Sequence, residues 1–359
     1  MGGRSTVDYE FQISSSLGSY SVSSLNETMK TLSSSDFVVT DIRFEPQVST
    51  MTQNFFSIEA IEANKTLATV ENICAAIARS SAGNAPQIIA IGGGVIQDLT
   101  TLVASIYKRG IDWVYLPTTL AGMLDSCVGG KSSINVNGVK NLVGNIYPPR
   151  RVLIDTNYVS TLGKERIIDG LSEGVKIAFA RGDETFLEFL ANPSSSEPRP
   201  GEKLQALVQT TLLAKKWFVE IDEMDKKERR LLNFGHTFGH AVESASEFSI
   251  SHGIAVSLGM LASIHFSGKK EVDKVQKLHN FCVDLLRPVY DSIAPHLVEF
   301  NWSEFRRLIS LDKKNTEGKI HIIMPNEKGR LVENRFKNSD ETLFKLENSL
   351  KCAFDEVRL

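Results

Sequence analysis

QIIAIGGGVIQDLTTLVASIYKRGIDWVYL, residues 87–116, is laid out as strand, turn, helix and strand. Gln87-Ile88-Ile89-Ala90-Ile91 is an apolar run of strand length. It leads straight into Gly92, Gly93 and Gly94, and helical spacing of apolar residues predicts a helix over 96–108. Trp113-Val114-Tyr115-Leu116 is a further strand, ending at Pro117-Thr118-Thr119. Upstream, 62–80 (EANKTLATVENICAAIARS) has apolar residues at helical spacing, and Phe37-Val38-Val39-Thr40 before Asp41 is another buried strand. Continuous apolar strands alternating with helices argue a parallel α/β sheet. Residues 1–35 are Ser-rich with short apolar alternation around Tyr9 to Tyr20, which suits a frayed start and a short hairpin or edge strand.

From about Arg166 onward strand signals nearly vanish and helical periodicity takes over. Ile320 to Met324 is the one later strand-like run, and 192–202 (NPSSSEPRPGE) is a polar loop. A chain of 359 residues exceeds one typical core. The expectation is an α/β N-terminal domain with a parallel nucleotide-binding sheet over 1–165, then a mostly α-helical C-terminal domain over 166–359. No internal repeat is visible. Net charge is −3 and pI about 6.2, which gives no electrostatic reason to expect nucleic acid or an anionic membrane as a partner. The apolar runs are too short to span a bilayer, and MGGRSTVDYEF has no hydrophobic signal core. MGGRST matches a loose myristoylation pattern, read here as chance. Cys74, Cys127, Cys282 and Cys352 are scattered without CxxC pairing, as expected of reduced thiols in a cytoplasmic protein.

Three stretches carry chemistry. In the first, glycines between a strand and a helix let backbone approach a pyrophosphate, and the helix N-terminus offers N–H donors. GGGVIQD is not GxGxxG, and a plain tight turn reads the same. Asp98 suits a ribose or amide contact, or a first-turn acid offsetting the helix dipole. The second, 125–141 (DSCVGGKSSINVNGVKN), is glycine-rich with two lysines and an Asn, fit for a phosphate monoester or for a solvated hairpin. The third is 229–253, RRLLNFGHTFGHAVESASEFSISHG. His236 and His240 are four apart and share a helix face, and His252 follows a Ser-rich turn. Two imidazoles plus one carboxylate make a divalent-metal site with an open position; an ordinary surface or core His pair is the alternative. Glu173, in GLSEGVK, is the candidate carboxylate. His265, His279, His296 and His321 have no motif and read as surface or structural histidines. Cys127 reads as a packed small residue, and 267–277 as a solvated helix face.

Together these residues resemble the sugar-phosphate cyclases typified by 3-dehydroquinate synthase. The resemblance is carried by EANKTLATVE, IIAIGGGVIQD, YKRG, LPTTLAGMLDSCVGGKSSIN, GVKNLVG, GLSEGVK, RRLLNFGHTFGHAVE, SHGIAV and LDKKNTEGKI, which cover most of 60–320 in order. It implies Zn2+ (or Co2+) on Glu173, His236 and His252. It implies NAD at Asp41, Glu62, Lys65, Gly93, Gly94, Val95, Asp98, Thr118, Thr119, Asp125, Ser126, Lys140, Thr161 and Leu162. The phosphate pocket falls on Lys131, Asn141 and a lysine of Lys313-Lys314. Arg109 matches an arginine lent to the neighbouring subunit, implying a homodimer. Lys215 and Arg229 match positions gripping a substrate carboxylate, while Asn233, His240 and Lys176 match residues around the hydroxyl-bearing ring. Transient oxidation by NAD, phosphate elimination, reduction and an intramolecular aldol are the implied steps, with His240 relaying protons.

The chain departs from the family pattern at three places. Arg43 stands where a small polar residue is usual near the adenosine ribose. The stretch 42–61 is short, so the usual helix there is expected to be missing. Ile254 replaces an acid beside His252-Gly253. Asn233, His240, Lys215 and Arg229 together favour a 7-phospho-heptulosonate substrate and 3-dehydroquinate as product. Amino-dehydroquinate, 2-deoxy-scyllo-inosose and valiolone-type cyclases, an NAD- and metal-dependent polyol dehydrogenase, and a non-catalytic paralogue are the alternatives.

Overall fold

In chain order the strands of the first unit are β1 (Val7–Ile13), β2 (Tyr20–Leu25), β3 (Phe37–Asp41), β4 (Phe55–Ile58), β5 (Ile88–Gly92), β6 (Trp113–Pro117), β7 (Ile134–Val136), β8 (Val139–Val143) and β9 (Arg151–Ile154). The computed structural model describes residues 7–33, 35–82, 87–137, 139–311 and 318–358. Seven of the strands form one sheet in the order β1-β2-β9-β6-β5-β3-β4. All neighbours are parallel except the edge pair β1 and β2. The Ser-rich start is therefore a hairpin at the sheet edge, where antiparallel pairing needs no crossover.

β3, β5 and β6 are buried at every position, as parallel strands covered on both faces must be. Val38, Ile89, Ile91, Val114, Leu116 and Leu153 fill one face together with Met29 and Val48. The helix expected over 62–80 begins with a single 3-10 turn, Glu62–Asn64, then runs Leu67–Arg79. Its start is set by Thr66, whose side chain accepts the Thr69 N–H at 3.2 Å, an N-cap contributing about 1 kcal/mol. The glycines lead into the helix Gly94–Ile106. Between 42 and 61 there is only a 3-10 turn (Ile42–Phe44), one helical turn (Glu45–Val48) and β4.

The chain divides into two units, Met1–Leu162 with Pro198–Glu223, and Gly163–Glu197 with Met224–Leu359. Pro198–Glu223 follows the boundary expected at 165 yet belongs with the sheet. It contains the helix Glu202–Ile221, whose Lys215 ammonium pairs with the Asp125 carboxylate and also donates to the Asp125 carbonyl.

The second unit is built from the helices Lys164–Arg181, Asp183–Ala191, His236–Ala245, His252–Ser267, Asp273–Leu286, Tyr290–Val298, Trp302–Leu311 and Asp340–Arg358. Lys319–Pro325 and Leu331–Lys337 pair as an antiparallel hairpin beside them. The second strand, LVENRFK, was not anticipated because its charged residues alternate on a half-exposed edge. His252–Ser267 is apolar all round and buried at every residue from Gly253 to Ile264, so it is the axis of this unit. Among the described residues no helix is long and apolar enough to cross a membrane.

Candidate active site

Three helices of the second unit bring Glu173, His236 and His252 together. Glu173 lies mid-helix in Lys164–Arg181, which is buried from Ile168 to Phe179. His236 and His252 each open a helix. Close approach depends on Gly253: a Cβ there would stand 2.2 Å from the Asp169 Cα, so only glycine lets the helix starting at His252 lie against the one carrying Glu173. Asp169 Oδ1 accepts from the Gly253 N–H at 2.8 Å and the Ser251 hydroxyl at 2.6 Å, fixing where that helix begins.

Glu173 Oε1 lies 3.1 Å from His252 Nε2 and 3.8 Å from His236 Nε2. This oxygen is buried and has no hydrogen-bond partner. Each imidazole is turned by a contact on its other nitrogen. His236 Nδ1 lies 3.1 Å from the Phe234 carbonyl, and His252 Nδ1 lies 2.9 Å from Glu243 Oε2. With Nδ1 donating in both, two Nε2 lone pairs and one carboxylate oxygen face one point, the arrangement of a three-ligand metal site with oriented imidazoles. Burial disfavours the charged His252 ring, but the Glu243 and Glu173 carboxylates outweigh it and raise its pKa well above the usual histidine range. The place thus attracts positive charge. The residues fit a divalent metal ion, and Glu173, His236 and His252 would hold it.

Glu243 was not anticipated. The resemblance put the acid beside His252 at position 254, where the chain has Ile254, a fully buried apolar residue. The carboxylate that meets His252 in the structure is Glu243, on the preceding helix. It also lies within reach of His240 and His252, forming a second cluster of donor groups. Of these two clusters, the first contains the orphaned Glu173 oxygen. Lys176, expected at a substrate ring, pairs with Glu173 Oε2, one turn away and equally buried. His240 is exposed, its ring 5.2 Å from that of His236. Arg229 is buried and Asn233 half-buried on the 3-10 turn Glu228–Asn233, just before His236.

In the first unit, Asp41, the Gly92–Gly94 turn and Thr118 all stand at the carboxyl ends of adjacent parallel strands, the end at which such sheets take ligands. Gly93 caps the helix Gly94–Ile106, and a Cβ on Gly94 would meet nothing within 4 Å, so the turn opens to a ligand. Thr118 Oγ1 is buried without a partner. These features fit the pyrophosphate and ribose of a dinucleotide. Val95 follows the turn, and Thr119 Oγ1 accepts the Gly122 N–H at 3.1 Å. Gln97 binds Ser126 through two bonds of 2.5 and 2.7 Å, tying the following turn to the same helix.

A polar network gathers the next residues. Lys65 Nζ donates to Asp98 Oδ2 at 3.0 Å and Asn141 Oδ1 at 2.8 Å, and lies 3.3 Å from Glu62. Ser133 binds both Asp98 and Asn141. Burial raises the Asp98 pKa despite the opposing pull of Lys65. Asp125 pairs with Lys215, as above. Lys131 and Arg109 are exposed, and Arg109 has a left-handed φ of 71°. Lys140 is half-buried on β8, and Thr161 and Leu162 close a 3-10 turn on the surface. Lys313 and Lys314 lie outside the described residues. Cys127 is buried and its thiol is pushed up to about 12, which suits packing and not nucleophilic attack.

A family model described as 3-dehydroquinate synthase N-terminal matches residues 55–169, and its C-terminal counterpart matches 170–315. A 3-dehydroquinate synthase of Clostridium tetani is 35% identical over 305 residues, 84% of this chain and 81% of that protein. A solved 2-deoxy-scyllo-inosose synthase, complexed with carbaglucose-6-phosphate, NAD+ and Co2+, superposes with a TM-score of 0.78 at 21% identity, covering 96% of this chain and 99% of that one. A 2-epi-5-epi-valiolone synthase from Streptomyces hygroscopicus subsp. jinggangensis, with NAD+ and Zn2+ bound, gives 0.77 at 23% identity, covering 94% and 97%. These two likenesses show the shared fold; the matched domains and the sequence relatives show that the chain belongs to the 3-dehydroquinate synthase family.

Proposed function

We propose that this chain is a phosphate-eliminating carbon–oxygen lyase. It converts 3-deoxy-D-arabino-heptulosonate 7-phosphate to 3-dehydroquinate with release of phosphate, using NAD and a divalent metal such as Zn2+ or Co2+. The single observation that carries the reading is the buried, unpartnered Glu173 Oε1 facing two imidazoles whose other nitrogens are already engaged.

When bound, the nicotinamide supplies reversible hydride abstraction and the metal polarises an oxygen of the sugar. The chain's own residues do the rest by holding and orienting. Glu173, His236 and His252 keep the metal, and Lys176 balances the Glu173 charge. Arg229 and Lys215 are suited to a carboxylate, the group that separates a heptulosonate from glucose 6-phosphate or sedoheptulose 7-phosphate. Lys131, Asn141, one lysine of the pair Lys313 and Lys314, and Arg109 take the phosphate, with Arg109 extended to a second subunit of a homodimer. His240, exposed beside the metal ligands, moves protons at the hydroxyl-bearing ring, a role suited to an imidazole near neutral pH. Asn233 binds a ring hydroxyl. Glu62, Lys65, Asp98, Thr118, Thr119, Ser126, Lys140, Thr161 and Leu162 position the dinucleotide. Because hydride leaves and returns within one turnover, the protein's work is to hold one substrate through successive steps.

The test is phosphate release from four compounds: the 7-phospho-heptulosonate, its amino analogue, sedoheptulose 7-phosphate and glucose 6-phosphate. Release from the first with no net NADH supports the reading. Preference for another compound reassigns the substrate, and NADH accumulating in step with product makes the chain a dehydrogenase.

A further inference from the structure

We propose that the nucleotide site of this chain accepts a 2′-phosphorylated dinucleotide, NADP+, as well as NAD+, and that Arg43 is the residue that admits the extra phosphate. The inference rests on the reading of the β3 end as the adenosine-ribose position. In parallel nucleotide-binding sheets, an acid at a strand end beside the glycine turn accepts the ribose hydroxyls and repels a 2′-phosphate, whereas an arginine nearby receives it. Here both residue types occupy the same corner.

Asp41 is the last residue of β3. β3 pairs in parallel with β5, Thr40 opposite Ile91, so Asp41 stands level with Gly92 at the start of the glycine turn. By itself this carboxylate would select against a 2′-phosphate. Arg43 covers it: Asp41 Oδ2 accepts Nε at 3.0 Å and Nη2 at 2.6 Å, and Oδ1 accepts the Arg43 backbone N–H at 3.1 Å. The acid's charge is therefore matched in place. The Asp41 side chain is 4% exposed while the Arg43 side chain is 58% exposed, so the acid lies beneath and the arginine lies over it towards solvent. A guanidinium carries five N–H donors, and Asp41 uses two. The remaining three are available to a phosphate without breaking the existing pair, and Arg is the side chain best shaped for bidentate phosphate binding.

The proposed reaction gives no reason to exclude the second dinucleotide. Hydride is returned within each turnover, so the chemistry draws on neither the NAD+ nor the NADP+ redox pool.

The test is direct binding of NAD+ and NADP+ by titration calorimetry to the metal-loaded protein, with 5′-AMP and 2′-AMP as adenosine-only probes. In the wild type, the two dinucleotide affinities are expected within tenfold of each other, with 2′-AMP the tighter monophosphate. Arg43→Gln removes the cation and unmasks Asp41. It is expected to weaken NADP+ at least tenfold, the scale of one lost charge-assisted contact, and NAD+ less than threefold. Arg43→Lys, which keeps the charge without the fork, should fall between. NAD+ binding with NADP+ more than a hundredfold weaker overturns the inference, as does equal weakening of both by Arg43→Gln; either leaves the nucleotide reading standing. No binding of either dinucleotide overturns both.

Discussion

Removing the Glu243 carboxylate should loosen the metal without touching a ligand. Glu243 Oε2 sits 2.9 Å from His252 Nδ1, and its side chain is only 8% exposed, so water does not readily replace it. It holds the ring's orientation, keeps the Nδ1–H tautomer, and adds negative charge that strengthens Nε2 as a donor. Losing such a partner weakens metal affinity about 10- to 100-fold, or about 1.4 to 2.7 kcal/mol at 1.36 kcal/mol per decade. Glu243→Gln still offers an acceptor of the same shape but no charge, and should fall near the lower figure. Glu243→Ala loses both and should approach the upper. Competition for Zn2+ or Co2+ against a chromophoric chelator measures this directly, with thermal unfolding of the metal-free proteins as the control for folding. If both variants bind within threefold of the wild type, Glu243 does not orient His252 and the proposed geometry of the centre is wrong.

Glu173→Ala and His236→Ala should each abolish metal retention by elemental analysis; unchanged content in both would refute the ligand set. Gly253→Ala must push the Asp169 backbone away from a contact of 2.2 Å, costing about 1–3 kcal/mol as overpacking does, and should lower the melting temperature together with metal content. A wild-type melt would show that the two helices separate at no cost. Glu356 joins three helices by accepting from Lys270, His265 and His279. Burial would raise its pKa, but these partners outweigh it and hold the carboxyl at about 2, below the ordinary 4.5. A depressed folded value means its contribution is full above about 4.5 and is lost as pH falls towards 2. Glu356→Gln should therefore lower stability at pH 7 and flatten its decline across that acid window in urea unfolding. An unchanged slope would refute the coupling.

Much of this was legible in residue order because the signals are local. An apolar run, three glycines and a helical period are consecutive, and they recover β5, the turn and the helix Gly94–Ile106. His236 and His240 lie one turn apart, whereas the close approach that requires glycine at 253 shows only in the packing against Asp169. Other features were not legible. β4 and β9 are four residues each, too short for a periodic signal. The helix Glu202–Ile221 looks like any helix of the second half, yet Lys215 ties it to Asp125, 90 residues earlier. Lys176 is an ordinary i,i+3 neighbour of Glu173, and only burial of both shows that the pair is a charge balance and not a surface bridge.

By itself the order of residues determined the α/β half, the helical half and the kinds of group able to bind a metal and a phosphate, since each depends on periodicity or side-chain chemistry within a short window. The tertiary structure alone decided which carboxylate supports His252, and that Arg43 covers Asp41. A missing acid at position 254 reads as a loss along the chain. The carboxylate beside His252 is Glu243, because two helices joined by a turn place their facing ends within hydrogen-bond reach, and hydrogen bonds depend on distance in space, which the spacing of letters does not record.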